Sequence, residues 1–413
     1  NQKAKKSFFP ENSSNLISEM IGITRLIKDK KSFSDRLRYG QDSSSHKFEK
    51  DGKFIPVVVF NITSMCNLSC KHCYYSAKSY PDEDELSTNE IFNIIDDLGN
   101  LGVPVILVSG GEPLMKKGVY ELISFMREKN IDVGLSTNGT LITEKNIDKI
   151  KKSGANYVGI SIDGLENTHD FFRGKKGAFR RSEEAIEICL KEGMLVSVRL
   201  TLTKFNMNEL PKILEWAEEK GVQRFCIYHL VASGRGKDIK DSALTPEETR
   251  KTIEKVYEMA KELNMEILTV DAPFDGFFVT LKKLKEGDID SAKRIMKLLK
   301  EQGGDGTGKK IAVISHRGDV YISQFWLNDR LGNVREKNFS EIWNSSENYF
   351  LYYLRYRVRG ELEGRCGICP LREICGGFRP RALSYYGKIN AHDPLCYITE
   401  EEKITLSYLL MEQ

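Results

Sequence analysis

Three cysteines fall within eight residues, Cys66-x3-Cys70-x2-Cys73. Three thiolates this close cannot complete a four-sulfur site by themselves. They suit three irons of a [4Fe–4S] cube whose fourth iron stays open, which a reactive cluster needs and a pure electron carrier does not. Zinc is the alternative. Its ligands usually come as C-x2-C pairs with two further Cys or His, and His72 lies between the cysteines here. A second set, Cys366-x2-Cys369-x5-Cys375 followed by Cys396, offers four thiolates in a loop-rich stretch. That is a closed site, which iron–sulfur or structural zinc would fit. Cys189 and Cys226 remain, on a predicted helix and a predicted strand, and read as core thiols. Nine cysteines, most of them in two clusters and odd in number, indicate metal ligation in a reducing compartment such as the cytoplasm rather than a disulfide scaffold.

Further polar groups recur at the ends of apolar runs. GGEPL (110–114), STNGT (136–140) and SIDG (161–164) each close one such run. The pair Gly110–Gly111 lets the backbone approach a ligand closely, or makes a tight turn. Ser136 and Asn138 either contact a ligand or shape their turn. Ser161 and Asp163 suit ribose hydroxyls, unless Asp163-Gly164 forms an Asx turn. Arg199 is an always-charged fork inside a β-branched run. It needs an anion there, from a ligand or from an internal salt bridge.

The elements that must position these groups follow from periodicity. PVVVFNI (56–62) is a continuous apolar run of the kind buried on both faces. Thr88–Leu101 has helical spacing in Ile91, Ile94, Ile95 and Leu98. Strands follow at VPVILVS, DVGLS, NYVGIS, LVSVRLTLT and RFCIYHLV, separated by helices at 119–129, 143–153 (capped by Thr143), 178–192 and 207–220. Six strands alternating with helices predict right-handed βαβ units and a parallel sheet, closing into a full or partial barrel with chemistry at the strands' C-terminal ends. Beyond residue 233 the expectations are a charged helix at 246–263, a short strand MEILTV, a charged helical stretch at 281–300, and a β-hairpin around RGD (317–319). Ile17–Ile27 reads as a short amphipathic helix. The region from about Glu361 is rich in Gly, Cys and Arg and needs a metal or a covering domain to hold it.

CNLSCKHCY resembles the CxxxCxxC signature of the radical S-adenosylmethionine (SAM) superfamily, and GGEP, STNGT and SIDG follow in that family's order on successive strands. The resemblance implies an α/β fold, a partial (β/α)6 radical SAM barrel over 56–235. It implies a [4Fe–4S] cluster on Cys66, Cys70 and Cys73, and SAM held by Gly110, Gly111, Glu112, Ser136, Asn138, Ser161, Asp163 and Arg199. The SAM amino group would go to the diglycine carbonyls and Glu112, and its carboxylate to Arg199. The second cysteine set resembles the C-terminal SPASM/twitch-like iron–sulfur domain of many such enzymes. It implies an auxiliary [4Fe–4S] cluster on Cys366, Cys369, Cys375 and Cys396, within 361–413, with 1–55 an N-terminal extension and 236–360 connecting helices and a small hairpin. MIGITRLI, DRLRYG, YHLVASGRG, QFW, FSEIW, CGICPLREICGGFRPRA and DPLCYITEEE together resemble the tetrapyrrole-modifying branch. That implies radical removal of acetate side chains from 12,18-didecarboxysiroheme to give iron-coproporphyrin III in haem biosynthesis, and a low-potential electron donor such as ferredoxin or flavodoxin. The chain departs from that branch at Tyr321-Ile322-Ser323, where a His-Pro-Asp run precedes QFW in the proteins it resembles. Alternatives are maturation of a ribosomally made peptide, a haem d1 pathway step, or a non-enzymatic iron–sulfur carrier.

An iron-tetrapyrrole substrate with several carboxylates calls for cations around a flat apolar slot. Arg235, Lys237, Arg379 and Arg381 are candidates, and His229 is placed to face the substrate or its iron, so His229 and Arg235 are the expected catalytic residues. Phe325, Trp326, Trp343, Tyr349, Phe350, Tyr352 and Tyr353 read mostly as core of the small domain. The chain has 413 residues, 40% hydrophobic and 29% charged, with 62 basic and 59 acidic residues and a net charge of +3. Near-neutral balance argues against nucleic acid as partner. No apolar run approaches the roughly 20 residues of a membrane span, and NQKAKKSFFPENSS has no signal-peptide core. Gly303-x4-Gly308-Lys309 imitates a phosphate-binding loop, but Lys310 stands where Ser or Thr would be and no apolar strand precedes it. It reads as a flexible loop.

Overall fold

The computed structural model describes residues 20–29 and 48–411. The run VVVFN forms strand β4, Val57–Asn61, buried along its whole length. Before it come β1, Met20–Gly22, and a small hairpin of β2, Glu49–Lys50, and β3, Lys53–Phe54. After it come β5 (Val105–Ser109), β6 (Asp132–Thr137), β7 (Tyr157–Ser161), β8 (Val196–Leu202) and β9 (Arg224–His229). These six strands pair in parallel in chain order, as βαβ alternation predicts.

Helices cover the outer face, and their ends are legible in the residues. Thr88–Leu101 starts at a capping box of Ser87 and Glu90, ends at left-handed Gly102, and buries Ile91, Ile94, Ile95 and Leu98 against the sheet. The helix expected from Thr143 starts later, at Ile147. Thr143 instead donates its backbone N–H to the Asn146 side chain and accepts from the Asn146 and Ile147 amides, which makes a turn ahead of the helix.

The sheet is larger than six strands. β10, Glu266–Val270, continues it in parallel beside β9, and β11, Ile311–Ile314, does so beside β4. The strand order is linear, from β1 antiparallel on β10 to β12 (Asp319–Tyr321) and β13 (Gly332–Asn333) beyond β11. The barrel is therefore partial and open, with the RGD hairpin extending one edge. Met20–Gly22 is a strand and only Ile23–Lys28 is helical, because pairing with β10 claims the first three apolar residues. The rest of the expected helix at 17–19, and the segment DRLRYG, lie outside the described residues. The stretch 281–300 belongs to two helices, Phe274–Lys285 and Ile289–Gln302, broken by Glu286-Gly287-Asp288. No helix among the described residues is long and apolar enough to cross a membrane.

The 303–310 loop is packed rather than free: Asp305 N–H donates to the Cys375 carbonyl at 2.9 Å. Of the aromatic set, Trp343 is buried and stacks on Phe339, but Tyr349 and Tyr352 are exposed. The last segment contains four short helices, of which Arg379–Tyr386 and Glu400–Met411 are the longest.

Candidate active site

A cavity of about 180 Å³ opens at the C-terminal ends of β4 to β9. Cys66, Cys70 and Cys73 line it, from the loop after β4. Gly110 and Gly111, Ser136 and Asn138, and Ser161 and Asp163 reach it from the loops after β5, β6 and β7, and Arg199 reaches it from β8. His229 and Arg235 stand beyond β9. Of the sequence-predicted residues of this region, Glu112 alone is absent from the wall.

The cysteine loop is held from several sides. Arg235 donates from Nε to the Cys70 carbonyl and from Nη1 to the Ala77 carbonyl, both at 2.8 Å. It braces the loop, where the sequence placed a substrate contact. The thiols themselves receive donors. Leu68 N–H lies 3.4 Å and the Asn138 amide 3.8 Å from Cys66 Sγ, and Arg173 Nη1 lies 3.5 Å from Cys70 Sγ. Burial pushes the Cys66 thiol up to about 12 and raises Cys70 too, with Arg173 pulling Cys70 back down. Among the described residues no three His, Cys, Asp or Glu side chains converge closely enough to grip a single metal ion.

The diglycine is required by space. A Cβ on Gly110, whose φ is +127°, would meet the Thr63 carbonyl oxygen at 2.4 Å, and one on Gly111 would meet that of Met65 at 2.2 Å. The β5 turn is pressed against the start of the cysteine loop, with Gly111 and Glu112 amides donating to the Thr63 and Met65 carbonyls at 2.8 Å each. Glu112 turns inward and is fully buried. Its carboxylate accepts from Leu114 N–H, Thr137 Oγ1 and Asn138 N–H at 3.1, 2.8 and 2.9 Å. It ties two turns together and does not face the cavity, contrary to the role the resemblance implied. Burial raises its pKa to about 7, those hydrogen bonds notwithstanding.

Asp163 is likewise engaged. It pairs with Arg173, stands 3.3 Å from His72 Nε2, and accepts from Thr201 N–H at 2.9 Å. Burial pushes this carboxyl up, but Arg173 and His72 outweigh it and hold it low. Burial also drops His72 to about 4. Asp163 thus sits in an internal ion cluster while still lining the cavity. Arg173, the last residue of helix Glu166–Arg173, was not singled out in the sequence. The available signal was an arginine on the buried face of a short helix.

Arg199 is different. It donates to Ser136 Oγ and, at 3.0 Å, to Tyr157 Oη, while its Nε has no partner. No carboxylate pairs with it among the described residues, so the salt-bridge alternative is not realised and a guanidinium faces the cavity without an anion. His229 turns Nε2 to Asp275 at 2.9 Å, and Asp275 also accepts from Tyr397 Oη at 2.7 Å. The imidazole is anchored at that nitrogen rather than free to reach a substrate iron with it.

Cys366, Cys369, Cys375 and Cys396 line a second, small cavity of about 30 Å³. Asp393 N–H lies 3.3 Å from Cys366 Sγ and Gly377 N–H 3.4 Å from Cys375 Sγ. Arg379 and Arg381 are buried beside this site. Arg381 pairs with Asp393 at 2.9 Å, and Arg379 donates to the Ile389 and Ala391 carbonyls at 2.9 and 2.6 Å. Both hold the C-terminal segment together, where the sequence offered them as free substrate cations. Lys237 is exposed at the mouth.

Comparison with known proteins agrees with this arrangement. Residues 60–217 match the radical SAM superfamily and residues 306–370 the iron–sulfur cluster-binding domain SPASM. The latter match takes in Cys366 and Cys369 and stops short of Cys375 and Cys396. The chain is 42% identical to Fe-coproporphyrin III synthase of Methanosarcina barkeri, over 93% of this chain and 98% of that one. It is 35% identical to pre-heme d1 synthase of Dinoroseobacter shibae, over 84% and 87%. The solved structure of anSMEcpe with bound AdoMet superimposes with a TM-score of 0.65 at 21% identity, covering 86% of this chain and 98% of that one.

Proposed function

We propose that this chain, which belongs to the radical SAM superfamily and carries its SPASM extension, converts 12,18-didecarboxysiroheme to iron-coproporphyrin III by radical removal of two acetate side chains. The observation that carries this reading is 42% identity, end to end, with a relative named for that product.

The residues fit the cofactors that the family uses. Three thiols share one cavity with a diglycine turn and with a guanidinium that lacks an anion. Cys66, Cys70 and Cys73 would hold a [4Fe–4S] cluster, and Cys366, Cys369, Cys375 and Cys396 an auxiliary one. Arg199 would take the SAM carboxylate, and the Gly110–Gly111 backbone its amino group. With SAM bound, such a cluster supplies one-electron reductive cleavage and a hydrogen-abstracting carbon radical. The chain's own part is positional. Arg173, Asn138 and the Leu68 amide direct positive ends at the thiolates. Arg235 fixes the loop that carries them, and Glu112 locks the β5 and β6 turns so that the cavity keeps its shape. Tyr74 closes the wall between the cavity and solvent, with Oη bound to Asn61 at 3.0 Å.

Anaerobic incubation of reconstituted protein with 12,18-didecarboxysiroheme, SAM and dithionite tests the proposal. Mass spectrometry should show loss of two acetate groups and formation of 5′-deoxyadenosine. Formation of 5′-deoxyadenosine with the tetrapyrrole returned unchanged would reject this substrate.

A further inference from the structure

Two further cavities adjoin the inner one, and we infer that together they form the binding site for a flat macrocycle bearing several carboxylates, an inference that rests on the function proposed above. The first, of about 540 Å³, shares Tyr74 and Phe325 with the inner cavity and continues outward along Tyr75 and Trp326. Its size is that of an ordinary small-molecule site. The ring faces are fixed: Tyr74 and Phe325 meet edge to face at 5.9 Å, and Phe325 meets Phe378 at 6.0 Å. A conjugated macrocycle stacks on such faces and keeps one edge against the Tyr74–Phe325 wall, next to the inner cavity.

Charge selects the rest. Lys237 and Lys240 line this cavity, and neither has an ion-pair partner among the described residues. Lys240 also lines the second cavity, of about 400 Å³, together with Lys204 and Arg381. That cavity touches the inner one through His229 and Leu230. Arg381 is buried, and its Nη1 has no hydrogen-bond partner. Asp241 is the acidic residue on this wall, and Lys204 donates to its backbone carbonyl at 3.2 Å. The Arg381 charge is met by Asp393, so two lysines stand against the single Asp241 carboxylate, and the open Arg381 Nη1 adds a donor, which makes the second cavity a place for an anionic arm. The ring lies in the aromatic cavity and one carboxylate arm turns past Lys240 toward Lys204.

The departure at Tyr321-Ile322-Ser323 acts on the same wall from behind. Ser323 Oγ accepts from Phe325 N–H and the Ser323 carbonyl from Trp326 N–H, both at 3.2 Å. None of the three residues lines any of these cavities. They set the turn that presents the two aromatic rings.

The test is an anaerobic absorbance titration of the reconstituted, full-length protein with iron-coproporphyrin III and with its fully methyl-esterified form. The free acid should bind more tightly than the ester. Lys237→Met and Lys240→Met should each weaken the acid roughly tenfold, the strength of one charge-assisted hydrogen bond, and leave the ester unaffected. Both lysines are exposed, so melting temperature checks that the variants fold. Wild-type protein that binds neither compound removes the proposed function and this site with it. Wild-type protein that binds the acid while both variants bind it equally well overturns this site and leaves the function standing.

Discussion

Replacing Arg173 by methionine should make a cluster held at Cys70 harder to reduce. Arg173 Nη1 lies 3.5 Å from Cys70 Sγ, and the guanidinium also pairs with Asp163. A unit charge at that distance contributes about 5 kcal/mol at an effective dielectric near 20. The added electron is spread over a cube that extends away from Cys70, so on the order of 2 kcal/mol reaches the couple. At 59 mV per tenfold change for one electron, that lowers the potential by roughly 90 mV. Asp163 acts on the Cys70 thiol in the opposite sense. Adding Asp163→Asn should therefore bring the potential partly back. The single variant also strands a buried carboxylate, at a cost of about 3–5 kcal/mol in stability, and the double variant relieves it. Electron paramagnetic resonance redox titration at pH 8 keeps His72, which burial drops to about 4, neutral throughout. A single-variant shift below about 20 mV, or a double variant more negative than the single one, would refute this account of the Arg173–Asp163 pair.

Arg199→Met should weaken SAM binding by roughly tenfold or more in isothermal titration, since the SAM carboxylate loses its guanidinium partner. Arg199→Lys should recover part of that loss. Cys375→Ala should cut iron content by about half while the signal of the SAM-responsive cluster persists. Glu112→Gln should lower the melting temperature even without SAM. One amide end then points N–H groups at the N–H and O–H donors that the carboxylate accepted, at about 1–3 kcal/mol. A residue that only bound SAM would leave that temperature unchanged. Burial raises Asp271 to about 8, so between its ordinary value of 3.8 and 8 the folded chain holds more protons than the unfolded one. Its contribution to stability is full below 3.8 and is lost as pH rises through 8. Asp271→Asn tolerates the residue's φ of +66°. It should raise the urea midpoint at pH 8 more than at pH 5, and an equal change at both would contradict the assignment.

The sheet was legible because the parallel strands are mostly β-branched, apolar runs separated by helices with an apolar stripe. What the runs could not show was that MEILTV joins β9 and that Ile311–Ile314, besides forming the RGD hairpin, joins β4, since a strand of four or five residues carries no record of which edge it joins. β10 and β11 therefore appeared in the sequence as appendages, while in the fold they flank the six-strand core. The short helices around the second cysteine set had no period long enough to read. The seven clustered cysteines, the diglycine and Arg199 were found from type and position, and all of them converge on their cavities. Side-chain direction was the part that spacing did not encode, as Glu112, Arg379 and Arg381 show.

Three polar residues singled out for ligand contact, Glu112, Asp163 and Arg235, all hold loops, and the reason is common to them. A parallel sheet delivers its strands to one rim, but the rim itself is made of turns whose amides and carbonyls need partners. Glu112 satisfies two turn amides, Asp163 the Thr201 amide, and Arg235 two carbonyls of the cysteine loop. The cavity wall then offers backbone at Gly110–Gly111, thiols, the Ser136 and Ser161 hydroxyls, the open Arg235 Nη2, and the one guanidinium on β8 that no carboxylate has claimed. Glu112, Asp163 and Arg235 hold these turns in place through their hydrogen bonds to the backbone. If the outer cavities bind substrate as proposed, discrimination falls to the unpaired lysines and the aromatic rings outside the rim, which the turn at Tyr321-Ile322-Ser323 presents from behind.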